Sequence, residues 1–339
     1  PEQLVPLSLV AIWSTMVVYP LAFIMSPLAL ARRSAAVQAP GRVTTADGAV
    51  TAGAVPTATA AGSAGARGAA RSGQNGSVGT LDRPDTAPAA PRYRFERIAF
   101  ALTIIGWVIH VAAVVMRGVA QGHVPWSNMF EFSLTASAII VGVFIFVQLW
   151  QNLRFLGAFI TGFGLIALGV GTVNFYVDVK PLPPALQSAW LVIHVFVAVL
   201  GTSFFALGAG LSVMQLLQAK RAAAKGAGLK FLQTLPSSEV LENLAYRVVV
   251  VGFVFWTFTL IAGAVWAERA WGRYWGWDTK EVWTFIIWTI FAGYIHARAT
   301  RGWRGSRSAW LAIIGFSAVV FNFTIVNLYF EGLHSYSGL

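Results

Sequence analysis

The chain has 339 residues, a net charge of +11 and no cysteine. Hydrophobic residues make up 57% of it and charged residues only 11%, whereas soluble globular domains carry about 25% charged residues. Several apolar runs reach the roughly 20 residues that a helix needs to cross a bilayer. These features exclude a soluble domain and predict an all-α, polytopic integral membrane protein.

The distribution of charge and the missing cysteine exclude two classes of function. Basic residues cluster beside the ends of the apolar runs, which is the positive-inside pattern of membrane topology. No polar domain carries a basic, aromatic stripe that could grip a phosphate backbone, so we expect no nucleic-acid partner. Without cysteine, the chain cannot form a disulfide, a thiolate metal ligand or an iron–sulfur cluster. Any thiol chemistry must therefore use a thiol on a partner.

The first two segments of the chain differ sharply in composition. An apolar run covers about Val5 to Leu30 and is followed by Arg32 and Arg33. A secretory signal would carry its positive charge in front of the run, so residues 1–31 are predicted to be a retained transmembrane helix with its N-terminus outside. Residues 32–91 are rich in Ala, Gly, Ser, Thr and Pro. Such a segment cannot bury enough apolar surface to fold, and we expect a disordered cytoplasmic linker.

Residues 92–339 are predicted to hold seven further transmembrane helices. Their apolar cores lie at about 98–116, 129–150, 155–175, 190–217, 248–266, 283–299 and 309–329. A separate interfacial helix is predicted around Val240 to Tyr246. Five of the 24 Lys and Arg residues fall in predicted outer segments, namely Arg117, Lys180, Arg269, Arg273 and Lys280. The prediction is about eight transmembrane helices with both the N- and C-termini outside.

The segment Trp271–Trp283 is a polar, aromatic insertion between two apolar runs. It reads Trp-Gly-Arg-Tyr-Trp-Gly-Trp-Asp-Thr-Lys-Glu-Val-Trp. Core segments avoid so many charges, because an unpaired buried charge is costly. We interpret this segment as a flat aromatic platform for a planar, apolar ligand at the outer membrane surface. A belt of interfacial tryptophans is the alternative.

Within this segment the spacing indicates a helical face. Trp271, Trp275 and Asp278 would share one side of a helix. The glycines at 272 and 276 weaken a regular helix but let a planar ligand approach the backbone. Arg273 and Lys280, with Arg269 as a third candidate, would pair with carboxylates of the ligand.

Two histidines are predicted to lie at the level of this platform. His194 falls about 6 Å below the outer end of the fifth span, at 1.5 Å per residue. His334 lies just beyond the outer end of the eighth span. Two neutral imidazoles that face each other across a gap are what a six-coordinate haem iron needs. The alternative is a histidine used for helix packing and a histidine in a loose tail.

The other histidines lie elsewhere. His296 is about 20 Å from the outer end of the seventh span, and His110 is in the outer half of the second. Ionisable residues within spans are functional candidates, so one interpretation is an intramembrane ligand site. A helix–helix hydrogen bond is the alternative. His123, in a Gly-His-Val-Pro turn, is interpreted as structural.

Templates for other activities are missing. The sequence has no Gly-rich phosphate loop, no His-Glu-x-x-His pair and no nucleophile elbow. Broken helices with midplane charges, which would favour an ordinary solute transporter, are also not evident.

Four motifs, in order, resemble the CcsA (ResC) family of haem-handling membrane proteins, whose actinobacterial members are often labelled CcsB. Trp266-Ala267 followed by Trp271–Trp283 resembles the WWD motif of that family. The segments 187–195 and 332–336 resemble its two flanking histidine motifs, and 122–131 is similar to its first outer loop. The resemblance runs from about residue 92 onward. Thr279 stands where the family usually has proline.

The resemblance implies a subunit of a system II cytochrome c synthase, a haem lyase. Haem b would be carried to the outer face, in the plasma (inner) membrane, and held with His194 and His334 as axial ligands. The thiols of the Cys-x-x-Cys-His segment of apocytochrome c would then add to the haem vinyl groups. The implied haem-binding residues are Trp266, Trp271, Trp275, Trp277, Asp278, Trp283, Arg273, Lys280 and His296.

The resemblance also implies partners. His296 matches an intramembrane histidine that binds haem in transit, and the second ligand of that haem would come from a ResB-type companion subunit. A thiol-reducing pathway protein and membrane lipid are the other implied partners. The alternative function is a haem exporter or chaperone that delivers haem without attaching it.

Overall fold

The computed structural model describes residues 3–38, 94–224, 230–300 and 302–334. Within these ranges the chain is helical and has no strand, which confirms the all-α prediction. The main helices are α1 (Leu4–Gln38), α2 (Arg94–Gln121), α3 (Met129–Val147), α4 (Gly157–Asn174), α5 (Ala189–Ala223), α6 (Ser238–Trp271), α7 (Thr279–Thr300) and α8 (Ser306–Phe321). Each of the eight predicted spans therefore corresponds to a helix.

Seven helices of the described part are long and apolar enough to cross a membrane. The helix outside this set is α7, which has 22 residues and carries Lys280, Glu281, His296 and Arg298 among its apolar side chains. A multi-pass membrane protein is thus confirmed. The crossing by α7 and the outer placement of both termini stay predictions.

The separate interfacial helix predicted around Val240 to Tyr246 is wrong. Those residues form the first turns of α6, which begins after Ser237 and continues without interruption to Trp271. The hydroxyl of Ser237 caps the helix by accepting a hydrogen bond from the Val240 N–H at 3.4 Å. No proline or glycine follows before residue 252, so nothing ends the helix where the apolar run begins.

The linker predicted over residues 32–91 begins inside a helix. α1 continues to Gln38, past the two arginines that mark the end of its apolar run. The remainder of that linker lies outside the described residues.

Helices α5 and α6 form the central pair of the bundle. A Cβ added at Gly208 would lie 2.5 Å from a methyl group of Val249, and one added at Gly252 would lie 2.9 Å from the ring of Phe205. Small residues at these points let the two helices approach closely. Phe205 also stacks on Phe291 of α7, with ring centroids 3.6 Å apart, which joins α7 to the pair.

Helix α3 is the interior helix on the other side of the bundle. The most apolar 18-residue stretch of α3 is 72% buried, whereas the corresponding stretches of the other six apolar helices are only 28 to 44% buried. At its N-terminal end, Glu131 forms a buried ion pair with Arg117 of α2 at 3.2 Å. Arg117 also donates a hydrogen bond to the carbonyl of Val177 at 2.7 Å. These contacts tie α2 to α3 and to the segment between α4 and α5.

The chain leaves α8 through a π-helical turn, Asn322–Val326, and a last short helix, Asn327–Tyr329 (α9). Such turns are frequent at functional sites. Here the turn precedes the segment that carries His334.

Candidate functional site

His194 is held by the backbone of the neighbouring helix. Its Nδ1 lies 3.0 Å from the carbonyl oxygen of Thr259 in α6. A carbonyl only accepts, so Nδ1 carries the proton and Nε2 keeps its lone pair. Gly263 leaves room for the ring, because a Cβ there would lie 2.7 Å from the Cε1 atom of His194.

His334 is held by a carboxylate. Its Nδ1 lies 2.6 Å from Oδ2 of Asp278, the residue that precedes α7. This hydrogen bond from His334 lowers the pKa of Asp278, and contacts with the backbone of Lys280 and Leu333 act in the same direction. Asp278 is therefore an anion that accepts the Nδ1 proton. His334, like His194, is left with Nε2 as its free nitrogen.

Trp266 lies against both imidazoles. Its indole stacks on His194 with an interplanar angle of 16°, and it meets His334 edge-on with centroids 5.4 Å apart. The indole N–H donates to the carbonyl of Ala185 at 3.0 Å, and the residue is only 2% exposed. Trp271 contacts His334 from another side, at 4.7 Å between centroids. The indole rings of Trp266 and Trp271 thus restrain the orientation of the two imidazoles.

His194 and His334 line one cavity of about 560 Å³. Its walls are mostly apolar and come from α3, α4, α5, α6 and the α8 end of the bundle. Ligand pockets in proteins usually fall between about 300 and 1,000 Å³, so a large planar molecule is within range. The polar side chains that line it include Lys280, Glu281 and Thr284 of α7.

The segment between α6 and α7 is a loop, so the helical face predicted for Trp271, Trp275 and Asp278 is wrong. Gly272 ends α6 with a φ of +69° and donates its N–H to the carbonyl of Glu268 at 2.7 Å. Glycine adopts this left-handed conformation without strain, which is why the helix stops there. The helical spacing therefore ends at Trp271.

Glu281 organises this loop. Its Oε2 accepts hydrogen bonds from the N–H groups of Gly276 at 2.8 Å and Asp278 at 3.0 Å. The second of these is the bond of a capping box, in which the third residue of a helix reaches back to the cap. Its other oxygen lies 3.7 Å from the guanidinium of Arg273. Glu281 thus fixes both the loop and the start of α7, and so the position of Asp278.

Comparison with known proteins identifies the family. Residues 126–334, more than half of the chain, match the family model described as cytochrome C assembly protein. The cytochrome c biogenesis protein CcsA of Guillardia theta is 36% identical over 261 residues, covering 71% of this chain and 86% of that protein. CcsA of Prochlorococcus marinus is 35% identical over 252 residues, covering 66% and 78%. The chain belongs to the CcsA family.

A solved structure of cytochrome c heme lyase CcmF shares the fold. The TM-score is 0.59 at 14% identity, over 94% of this chain and 46% of that one. This CcsA-family chain therefore spans about half the length of that structure. The family match and these relatives indicate a role in cytochrome c biogenesis.

The cavity of this CcsA-family protein includes some of the predicted haem-binding residues. His194, Trp266, Trp275, Lys280 and His334 line it. Burial lowers the pKa of Lys280 to about 8, and the nearby Asp278 opposes this shift. Lys280 stands in the first turn of α7 and supplies a positive charge to the cavity wall.

Other predicted residues lie around the cavity without lining it. Trp271 and Asp278 contact His334, and Arg273 pairs with Glu281. Trp283 packs on Phe321, while Trp277 is 77% exposed and touches Trp275 edge-on. The third predicted cation, Arg269, lies over the ring of Trp190.

The remaining histidines are separate from this cavity. His296 is exposed on α7, one turn from Gly293, whose side faces open space. His110 is fully buried, and its Nδ1 lies 3.1 Å from the hydroxyl of Tyr19 in α1. His110 thus makes the helix–helix hydrogen bond that was the alternative for it. His123 lies in the outer loop, near Gln121.

The lining residues that the sequence did not single out as ligands include Trp126, Tyr274 and Glu281. Trp126 lies in the loop between α2 and α3, and Tyr274 lies in the loop between α6 and α7. Nothing in the spacing of either residue indicates its orientation. The role of Glu281 could have been found, because Asp278-x-x-Glu281 before an apolar run is the pattern of a capping box.

Proposed function

We propose that this protein holds haem in the cavity between His194 and His334 and attaches it to apocytochrome c. The observation that carries the proposal is that both imidazoles are anchored through Nδ1 and line the same cavity. Histidines that bind metals usually hold their other nitrogen in this way. Two such nitrogens at one cavity suit the two axial positions of a haem iron.

The other lining residues fit the same substrate. Trp266 and Trp275 offer aromatic surface to a porphyrin, and the mostly apolar walls would exclude water from it. Lys280 offers a cation to a haem carboxylate at the outer end. The implied haem b, with its free vinyl groups, is the form on which attachment can occur.

The attachment itself needs orientation more than acid–base chemistry. Each cysteine thiol of the Cys-x-x-Cys-His segment adds across one vinyl group, so that a C–S bond forms and the thiol proton passes to the other vinyl carbon. No net oxidation occurs. Fixing the substrate between two anchored histidines turns this addition into a reaction of pre-aligned groups. Because the chain has no cysteine, it offers no thiol to compete with those of the apocytochrome.

His296 is proposed to bind haem on its way to the cavity. His296 is exposed on α7, so its ring is open to a haem whose second ligand comes from a partner. A ResB-type companion subunit is the proposed source. A thiol-reducing pathway protein would keep the apocytochrome cysteines reduced, and the active face would be the outer side of the plasma membrane.

The test is covalent attachment by the purified protein, alone and with the companion. Haem-loaded protein is mixed with reduced apocytochrome c, and haem that stays with the cytochrome after denaturation is measured. We expect covalent haem with a wild-type Cys-x-x-Cys-His segment and none when both cysteines are replaced by serine. Transfer of haem without any covalent product, even with the companion, would instead support the exporter or chaperone function.

A further inference from the structure

A second cavity lies at the end of the bundle opposite to His194 and His334. It has a volume of about 360 Å³ and is lined by the end of α1, the beginnings of α2 and α4, and the segments that lead into α4 and α6. This is the end at which the arginines follow or precede the apolar runs. None of the haem-binding candidates lines it.

Three charged side chains meet in this cavity. The carboxylate of Glu96 lies 3.8 Å from the guanidinium of Arg33 and 3.8 Å from that of Arg154. Both distances are longer than a normal hydrogen bond, so neither arginine donates a hydrogen bond to the carboxylate. Two arginines and one glutamate leave a net charge of +1. The group therefore attracts one negative charge.

The geometry of the arginines keeps this charge available. The side chains of Arg33 and Arg154 are 39% and 36% exposed, while that of Glu96 is 16% exposed. Arg154 is held over the ring of Phe100 at 4.8 Å, which orients its guanidinium. An arginine fork in this position can grip the oxygens of a phosphate with two parallel hydrogen bonds.

Apolar side chains form another part of the cavity wall. Leu30, Phe100, Phe144, Phe155 and Leu235 contribute to its walls. Further polar groups come from Asn152 and from the Thr234 hydroxyl, which is buried and has no hydrogen-bond partner within the described residues. A cationic rim beside an apolar wall suits an amphiphile with an anionic head.

We propose that this cavity binds the headgroup of an anionic phospholipid of the phosphatidylglycerol class. Basic pockets between transmembrane helices at the cytoplasmic side are known to hold such headgroups. The net charge of +1 matches a single phosphodiester. Haem is a poorer match, because it carries two carboxylates and neither histidine nor methionine lines the cavity to bind its iron.

The test measures lipid binding by the purified full chain. The protein in neutral detergent is titrated with phosphatidylglycerol or with phosphatidylcholine of the same acyl chains, and bound lipid is counted by native mass spectrometry. We expect tighter binding of phosphatidylglycerol. Arg33→Gln and Arg154→Gln should each weaken it by about tenfold or more, because each removes charge-assisted hydrogen bonds.

Two further variants distinguish the loss of this binding site from misfolding of the protein. Arg304→Gln removes an exposed arginine outside the cavity and should leave the affinity unchanged. Glu96→Gln removes the competing carboxylate and should tighten phosphatidylglycerol binding, a gain that misfolding cannot produce. Equal binding of the two lipids, or equal losses in all three arginine variants, would overturn the proposal. So would displacement of the lipid by equimolar inorganic phosphate or haem.

Discussion

The carboxylate of Asp278 and the imidazole of His334 lie 2.6 Å apart, and they come from opposite ends of the α7–α8 region. The carboxylate sets which nitrogen of His334 is free, and it fixes the ring against Trp266 and Trp271. In metal sites, a partner of this kind orients the ligand and raises its basicity. Under the proposed function, Asp278 would position His334 rather than contact haem.

Asp278→Asn is expected to weaken haem binding by about 10- to 100-fold, because it removes the charge that holds the His334 proton. The measurement is a titration of purified protein with haem, followed by absorbance. The matched control is Glu331→Gln, which removes an exposed carboxylate from the C-terminal segment that carries His334. An unchanged haem affinity and spectrum in Asp278→Asn would contradict the positioning role.

His194→Ala and His334→Ala are each expected to lose haem during purification and to lose attachment activity. Added imidazole should restore the spectrum in part, since it can occupy the vacated position. His123→Ala changes a histidine that does not line the cavity and should behave as wild type. If the double variant kept a wild-type haem spectrum and activity, the axial-ligand assignment would be wrong.

Gly263→Ala is expected to reduce haem binding although it adds only one methyl group. That methyl would lie 2.7 Å from His194, so the ring must leave its hydrogen bond to Thr259. Gly169→Ala in α4 is the control, because its methyl would meet only the end of Met16 at 3.6 Å. The comparison uses haem titrations at matched protein yield, and equal affinities in the two variants would refute the steric argument.

Haem affinity is expected to fall as the pH rises through about 8, where Lys280 loses its charge. The charged form, present below that pH, is the one that attracts a haem carboxylate. Lys280→Arg should flatten this dependence, because arginine stays charged at every pH tested. Haem titrations between pH 7 and 9 compare the two proteins, and the same decline in Lys280→Arg would assign the effect to another group.

His296→Ala should distinguish the delivery of haem to the cavity from the binding of haem in the cavity. Haem added to the outer cavity of the purified variant is expected to bind as in wild type, since His296 does not line that cavity. Haem acquired in cells that contain the companion subunit should decrease. A variant that loses affinity for added haem to the same extent as His334→Ala would place His296 in the outer site.

The sequence indicated the order of the helices and the residues of the site better than their orientation. Long apolar runs predict helices reliably, and His194, Trp266 and His334 do meet at one cavity. The non-helical conformation of residues 272–278 was not predicted. Gly272 ends α6 and Glu281 caps α7, and these local backbone effects outweigh the helical spacing of the side chains. Trp277 is 77% exposed and has a left-handed φ of +61°, a local backbone conformation that the spacing of side chains does not encode.

The hydrogen bonds that hold His194 and His334 also determine at which stage of insertion the site can form. His194 needs only α5 and α6, which pack together as neighbours in the sequence. His334 reaches Asp278 only after α7 and α8 have taken their places, because both helices lie between the two residues in the chain. During insertion, the cavity would gain its second ligand last. Under the proposed function, a partly inserted chain would therefore lack one of the two axial ligands of the cavity.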